Sequence, residues 1–171
     1  VIAGVDFSTR AIHAALIPLE HGNGEPPIVL RHEPIPESPD PLRRYYEARM
    51  ATRRICADTD GHPVNLVIVE QPMGRFAVRP LWAMFGAIVG SVPGVASVTA
   101  LDAQAWRREL GLPARLTKQA AIEKALDWLY ATRAFTAPRA NTTLSEHHAD
   151  AILIALAGRQ QNQRAWSEGA A

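Results

Sequence analysis

This sequence has one cysteine, two lysines and no long hydrophobic run, and the first and last of these shortages each exclude something. The lone thiol, Cys56, can form no internal disulfide, so the chain is no disulfide-stapled secreted scaffold. Its N-terminus lacks the basic start and apolar stretch of a signal peptide, which points to a reducing, intracellular, cytoplasmic setting. The longest apolar stretch, Leu81 to Val92, holds 12 residues, short of the roughly 20 that a membrane-spanning helix needs. There is no Ser-His-Asp arrangement, zinc-type Cys/His spacing, Gly-rich phosphate cradle, internal repeat or low-complexity tract.

What is present is an ordinary globular composition, 47% hydrophobic and 20% charged over 171 residues, enough for one domain with a sizeable core and too little for two. Lys118 and Lys124 are the only lysines, so 16 of the 18 basic residues are arginine, the side chain best shaped for bidentate phosphate contacts. A GC-rich codon usage gives the same count, and the signal for a nucleic-acid partner is weak taken alone.

Hydrophobic periodicity and turn residues divide the chain. Strands are expected at 1–8, 11–18 and 27–33, joined through Ser8-Thr9-Arg10 and His21-Gly22-Asn23-Gly24. The Pro-rich segment 34–42 reads as loop and 41–58 as an arginine-bearing helix, closed by Asp60-Gly61. A strand at 64–70, a loop at 71–77, an apolar helix at 79–92, a strand at 95–100 and a short helix at 102–109 follow. Helix 117–132 has Thr117 as N-cap, 133–144 is polar loop, and the last helix spans 145–160. These elements give one domain over 1–160 with a flexible tail at 161–171. Three antiparallel strands and then alternating helix and strand give an α/β fold of ribonuclease H-like order, a mixed five-stranded sheet flanked by helices.

Three acids interrupt apolar runs: Asp6 in VIAGVDF, Glu70 at the end of VNLVIVE, and Asp150 at the start of ADAILIALA. A buried carboxylate costs several kcal/mol unless it is compensated, and hard divalent cations suit carboxylate oxygens. If the first and fourth strands are neighbours, Asp6 and Glu70 meet near one edge. In the last helix His147 lies three residues before Asp150 and shares its face; His148 and Glu146 are the competing residues, with Glu146 read as a helix cap. Gly86 and Gly90 are read as packing contacts that admit a close helix neighbour.

The segments GVDFSTRAIHAALI, LVIVEQP and EHHADAILIALAG resemble the three acidic motifs of RuvC-type Holliday junction resolvases, in similar order over almost the whole chain. The resemblance implies that Asp6, Glu70, His147 and Asp150 form a metal site for Mg²⁺, with Mn²⁺ as the alternative, at two ions per active site. In RLTKQAAIEKAL it places Lys118 near the scissile phosphate. It implies a structure-selective endonuclease that cuts four-way DNA junctions by two-metal hydrolysis, with Asp6 bridging the metals, His147 as ligand or general base, and Lys118 stabilising the transition-state charge. Arg75, Phe76, Arg79, Arg115 and Lys118 are the expected contacts to branched DNA, and 79–92 is the expected homodimer face. The Pro-rich insert and Arg75 and Arg79 mark a divergent, phage-type member. Alternatives are a nuclease of the same fold acting on RNA precursors or on flaps and forks, and a non-catalytic nucleic-acid-binding module.

Overall fold

The structure is a computed structural model that describes residues 1–19, 28–57, 62–73, 79–94, 96–132 and 144–169. Strands β1 (Ile2–Phe7), β2 (Ala11–Ile17) and β3 (Val29–Pro34) form an antiparallel meander, while β4 (Leu66–Glu70) and β5 (Ser97–Leu101) extend the other side of β1 in parallel. The sheet order is β3-β2-β1-β4-β5, the mixed five-stranded sheet expected from the sequence. Five helices accompany it among the described residues: α1 (Pro41–Ala57), α2 (Arg79–Val89), α3 (Ala103–Glu109), α4 (Lys118–Ala131) and α5 (Glu146–Gly169). The turns at 21–24 and 60–61 and almost all of the loop at 133–144 lie outside the described residues.

Short polar side chains set the element ends. The Ser8 hydroxyl accepts the N–H groups of Arg10 and Ala11 at 3.1 and 3.2 Å, turning β1 into β2. Asp102 caps α3 by accepting from Gln104 and Ala105, and Thr117 caps α4 by accepting from Ala120, as its sequence position predicts. Each cap satisfies backbone donors that have no partner inside the helix.

Alternation along β1 divides the core in two. Ala3 and Val5 face α1 and α2 together with Ile12, Val67, Val69, Met84 and Ile88, and the buried Cys56 of α1 belongs to this side. Ile2 faces α3, α4 and α5 with Ile17, Ile68, Trp106, Leu129, Ile152 and Ile154. Each fully buried aliphatic side chain contributes about 1.5–3 kcal/mol. Residues 151–159 of α5 are all buried, so this helix is the spine of that layer.

Missing side chains set how closely α5 approaches the sheet. A Cβ on Gly4 would collide with the Ala151 carbonyl oxygen and the Ala155 nitrogen, and one on Gly158 would meet the Ile68 side chain. The helix backbone rests on the strand backbone at Gly4, a contact that only glycine permits.

Three expectations are corrected. The last helix does not end at 160 but continues to Gly169, because Gln, Arg and Ala sustain a helix already nucleated by its buried part; Arg164 also pairs with Glu109 at 3.0 Å. Pro34 closes β3 rather than opening the loop, a position open to proline on an edge strand. Gly86 and Gly90 do not pack in the core: both are exposed, and no atom lies within 4 Å of a Cβ built on Gly86.

These contacts predict opposite outcomes for two glycine substitutions. Gly4→Ala should lower unfolding free energy by about 1–3 kcal/mol, the range for an overpacked core, in a urea titration. Gly86→Ala should be neutral or gain up to about 1 kcal/mol from helix propensity. A larger loss at Gly86 than at Gly4 would mean that α5 is not seated as described.

Candidate active site

Strand register gathers the polar residues. Val5 of β1 pairs with Val69 of β4, so Asp6 and Glu70 follow side by side at the carboxyl ends of two parallel neighbours, where open α/β sheets bind ligands. On the other side Asp6 stands opposite His13, and His13 opposite His32. Glu70, Asp6, His13 and His32 therefore form a row across the α5 face of the sheet.

The first turn of α5 meets this row. His147 Nδ1 donates to Asp6 Oδ2 at 2.7 Å, and its ring stacks on His13 with centroids 4.6 Å apart and planes 23° apart. His13 is 8% exposed, and its Nδ1 lies 3.4 Å from His32 Nδ1. His148 turns elsewhere, its ring nitrogens engaging the Ser145 hydroxyl at 2.9 Å and the Arg31 carbonyl at 3.2 Å. The three-residue spacing thus brings His147, and not its neighbour, to the acids.

Glu146 does not cap the helix as expected. The Ser145 hydroxyl accepts the His148 N–H at 3.2 Å, and the Glu146 carboxylate pairs with Lys118 Nζ at 2.6 Å. That ion pair holds Lys118, 78% exposed in its side chain, against the first turn of α5. Arg79 and Arg115 are exposed; Arg75 and Phe76 lie outside the described residues.

Burial and like charge shape the electrostatics. Burial pushes the Glu70 carboxyl up to about 7, with a hydrogen bond from Trp106 opposing it and the charges of Asp6 and Asp150 adding to it. Asp150 rises to about 6, chiefly by burial and then by the charge of Asp6. The hydrogen bond to Asp6 raises His147 above the ordinary imidazole range, whereas burial lowers His13 to about 4. Acids that retain protons near neutrality mark a place short of positive charge.

This donor set suits a hard divalent cation: three carboxylates and one imidazole lie at one end of the sheet within electrostatic reach of one another, and two of the acids resist ionising without a counter-charge. Among the described residues no three His, Cys, Asp or Glu side chains are already gathered as ligands around one point. With Nδ1 engaged by Asp6, the other His147 nitrogen, Nε2, faces Glu146 Oε1 at 3.7 Å, so ligation or proton transfer at Nε2 displaces that carboxylate.

Four contributors were not singled out in the sequence. Trp106 of α3 donates its indole N–H to Glu70 Oε2 at 2.9 Å. The charge of Arg107, beside it, acts on both Glu70 and Asp150, while its Nη1 donates to the Ala114 carbonyl at 3.0 Å. His13 and His32 emerge only once strand register is known.

No family model and no curated protein matches this sequence. Solved structures do. A Thermus thermophilus RuvC structure is 18% identical, covers 96% of this chain and 96% of its own, and superposes with a TM-score of 0.67. T. thermophilus RuvC in complex with a Holliday junction substrate is 17% identical over 95% of this chain and 94% of that one, with a TM-score of 0.64. The chain has the RuvC fold, of ribonuclease H-like type.

The raised carboxyls fix a sign for the stability of the metal-free protein. Between the unfolded pKa values of Asp and Glu, near 4, and the folded values of about 6 and 7, the native state holds more protons than the unfolded one, so stability falls as pH rises through this window. His147, also raised, loses its contribution in the same direction at higher pH, whereas His13, lowered to about 4, and His148, also lowered, act oppositely below the ordinary imidazole value. Melting curves in chelator should show a lower midpoint at pH 8 than at pH 5, with a smaller difference in Glu70→Gln. A pH 5 to pH 8 difference that is the same in Glu70→Gln as in wild type would contradict the buried-acid assignment.

Proposed function

We propose that this chain is a divalent-metal-dependent endonuclease that cuts four-way DNA junctions as a dimer. The observation that carries the proposal is the convergence of Asp6, Glu70, Asp150 and His147 under the first turn of α5, in the fold of RuvC, one of whose structures holds a Holliday junction substrate.

Asp6, Glu70, Asp150 and His147 would hold Mg²⁺ or Mn²⁺, which when bound supplies Lewis acidity and an activated water for phosphodiester hydrolysis. The protein's own groups do the rest. Asp6 and the stacked His13 fix the His147 ring, and Nε2, once it exchanges the Glu146 carboxylate 3.7 Å away, ligates or accepts the proton of the attacking water. Arg107 brings positive charge to the rim beside Glu70 and Asp150. Lys118 reaches a phosphate by exchanging its Glu146 partner for the substrate anion. Residues Arg75, Phe76, Arg79 and Arg115 extend the DNA contact. Symmetric cutting of a two-fold junction requires two sites related by a dyad; the outward Gly86 and the 41% exposed Trp82 of α2 give the second copy a face to pack on.

Purified protein with labelled four-way junction, flap, duplex and structured RNA, with and without Mg²⁺, tests this directly. Junction cleavage should require the metal, and Asp6→Asn should reduce it to background while junction binding stays within a few-fold. Near wild-type cutting by Asp6→Asn removes the metal-site reading; preference for flap or RNA moves the substrate but keeps the chemistry. Sedimentation with bound junction should give a dimer, and a monomer there counts against junction resolution.

A further inference from the structure

Trp106 is wholly buried, and a buried indole N–H needs an acceptor. That acceptor is Glu70 Oε2, 2.9 Å away. The indole has little freedom to leave. Asp102 fixes the start of α3 with two backbone hydrogen bonds of 2.8 Å, and the Gln71 N–H bonds the Leu101 carbonyl at 2.9 Å, tying the exit of β4 to the end of β5. Phenylalanine supplies much of the same apolar packing, so packing alone does not account for the nitrogen.

We propose that Trp106 is a positioning residue that makes Glu70 a one-oxygen ligand and so biases the site toward Mg²⁺ over Ca²⁺. The inference rests on the metal-dependent reading above. The N–H fixes the plane of the carboxyl group and draws on the charge of Oε2, leaving Oε1 as the better donor. Mg²⁺ keeps a tight octahedral shell with single carboxylate oxygens, whereas Ca²⁺ accepts more ligands at longer range and often takes a carboxylate through both oxygens. Partners of this kind that orient a metal-binding group typically change affinity by about 10–100-fold.

Calorimetric titration of the DNA-free protein with Mg²⁺ alone and Ca²⁺ alone tests the proposal in wild type, Trp106→Phe and Glu70→Gln. Trp106→Phe should weaken Mg²⁺ by about tenfold and leave Ca²⁺ nearly unchanged, so that the preference between them collapses. Equal loss for both cations, or no loss for either, overturns the proposal. An indole NMR spectrum of the metal-free wild type supplies an arm independent of whether Trp106→Phe folds. The indole N–H resonance that exchanges most slowly with heavy water should shift saturably with Mg²⁺, and the shift should vanish in Glu70→Gln. An indole signal indifferent to Mg²⁺ overturns the proposal as well. If Glu70→Gln binds Mg²⁺ like wild type, the metal-centre reading fails; if it loses Mg²⁺ while Trp106→Phe keeps wild-type affinities, only the role of Trp106 fails.

Discussion

The backbone contact between α5 and β1 at Gly4 sets the depth of the whole site. His147 and Asp150 are carried by the helix and Asp6 and Glu70 by the strands, so the gap between the two pairs is the height at which the helix sits on the sheet. Ala151 and Ala155 over Gly4, and Gly158 over Ile68, allow that height to be small. The buried run that follows, with Ile152, Leu153, Ile154 and Leu156, fastens the helix there. Interiors packed to this density deform little, and the polar head of α5 inherits the rigidity of its apolar body.

Against that rigid frame the site is electrostatically uneasy. Asp6, Glu70 and Asp150 repel one another, and the fold does not cancel the repulsion fully: one hydrogen bond from Trp106, one from His147 and the charge of Arg107 act against it. A domain that concentrates like charges at one edge departs from local consistency where function is expected. The histidines alongside are of two kinds. His147 is raised by its hydrogen bond to Asp6 and His13 is lowered by burial, so the two stacked rings are pushed in opposite directions, and His13 stays neutral and serves as the support.

The acidic residues were legible in sequence because each breaks a strand or helix whose apolar pattern is otherwise clear, and the meeting of Asp6 with Glu70 needed only the inference that β1 and β4 are neighbours, whereas the place of Asp150 depends on how α5 is seated. His147 was legible from its spacing to Asp150. His13 and His32 were not, because their place beside Asp6 depends on the register of two antiparallel pairings, and a register is a property of the sheet rather than of a segment. Trp106 was hidden by its own hydrophobicity: a large aromatic in a helix reads as core, which it is, and its one polar atom gives no periodic signal. The last turns of α5 carry no apolar stripe because most of them contact solvent, so periodicity stopped at 160 although the helix did not.

Cys56, the chain's only thiol, lies inside the layer between the sheet and α1, and burial pushes its pKa up to about 11. Thiol-directed reagents act on the thiolate, which at neutral pH is both scarce and enclosed here. The folded protein is thus a ready background for chemical labelling. A single cysteine introduced on an exposed position, such as one in the last turns of α5, would take a fluorophore or spin label selectively with the native sequence otherwise intact.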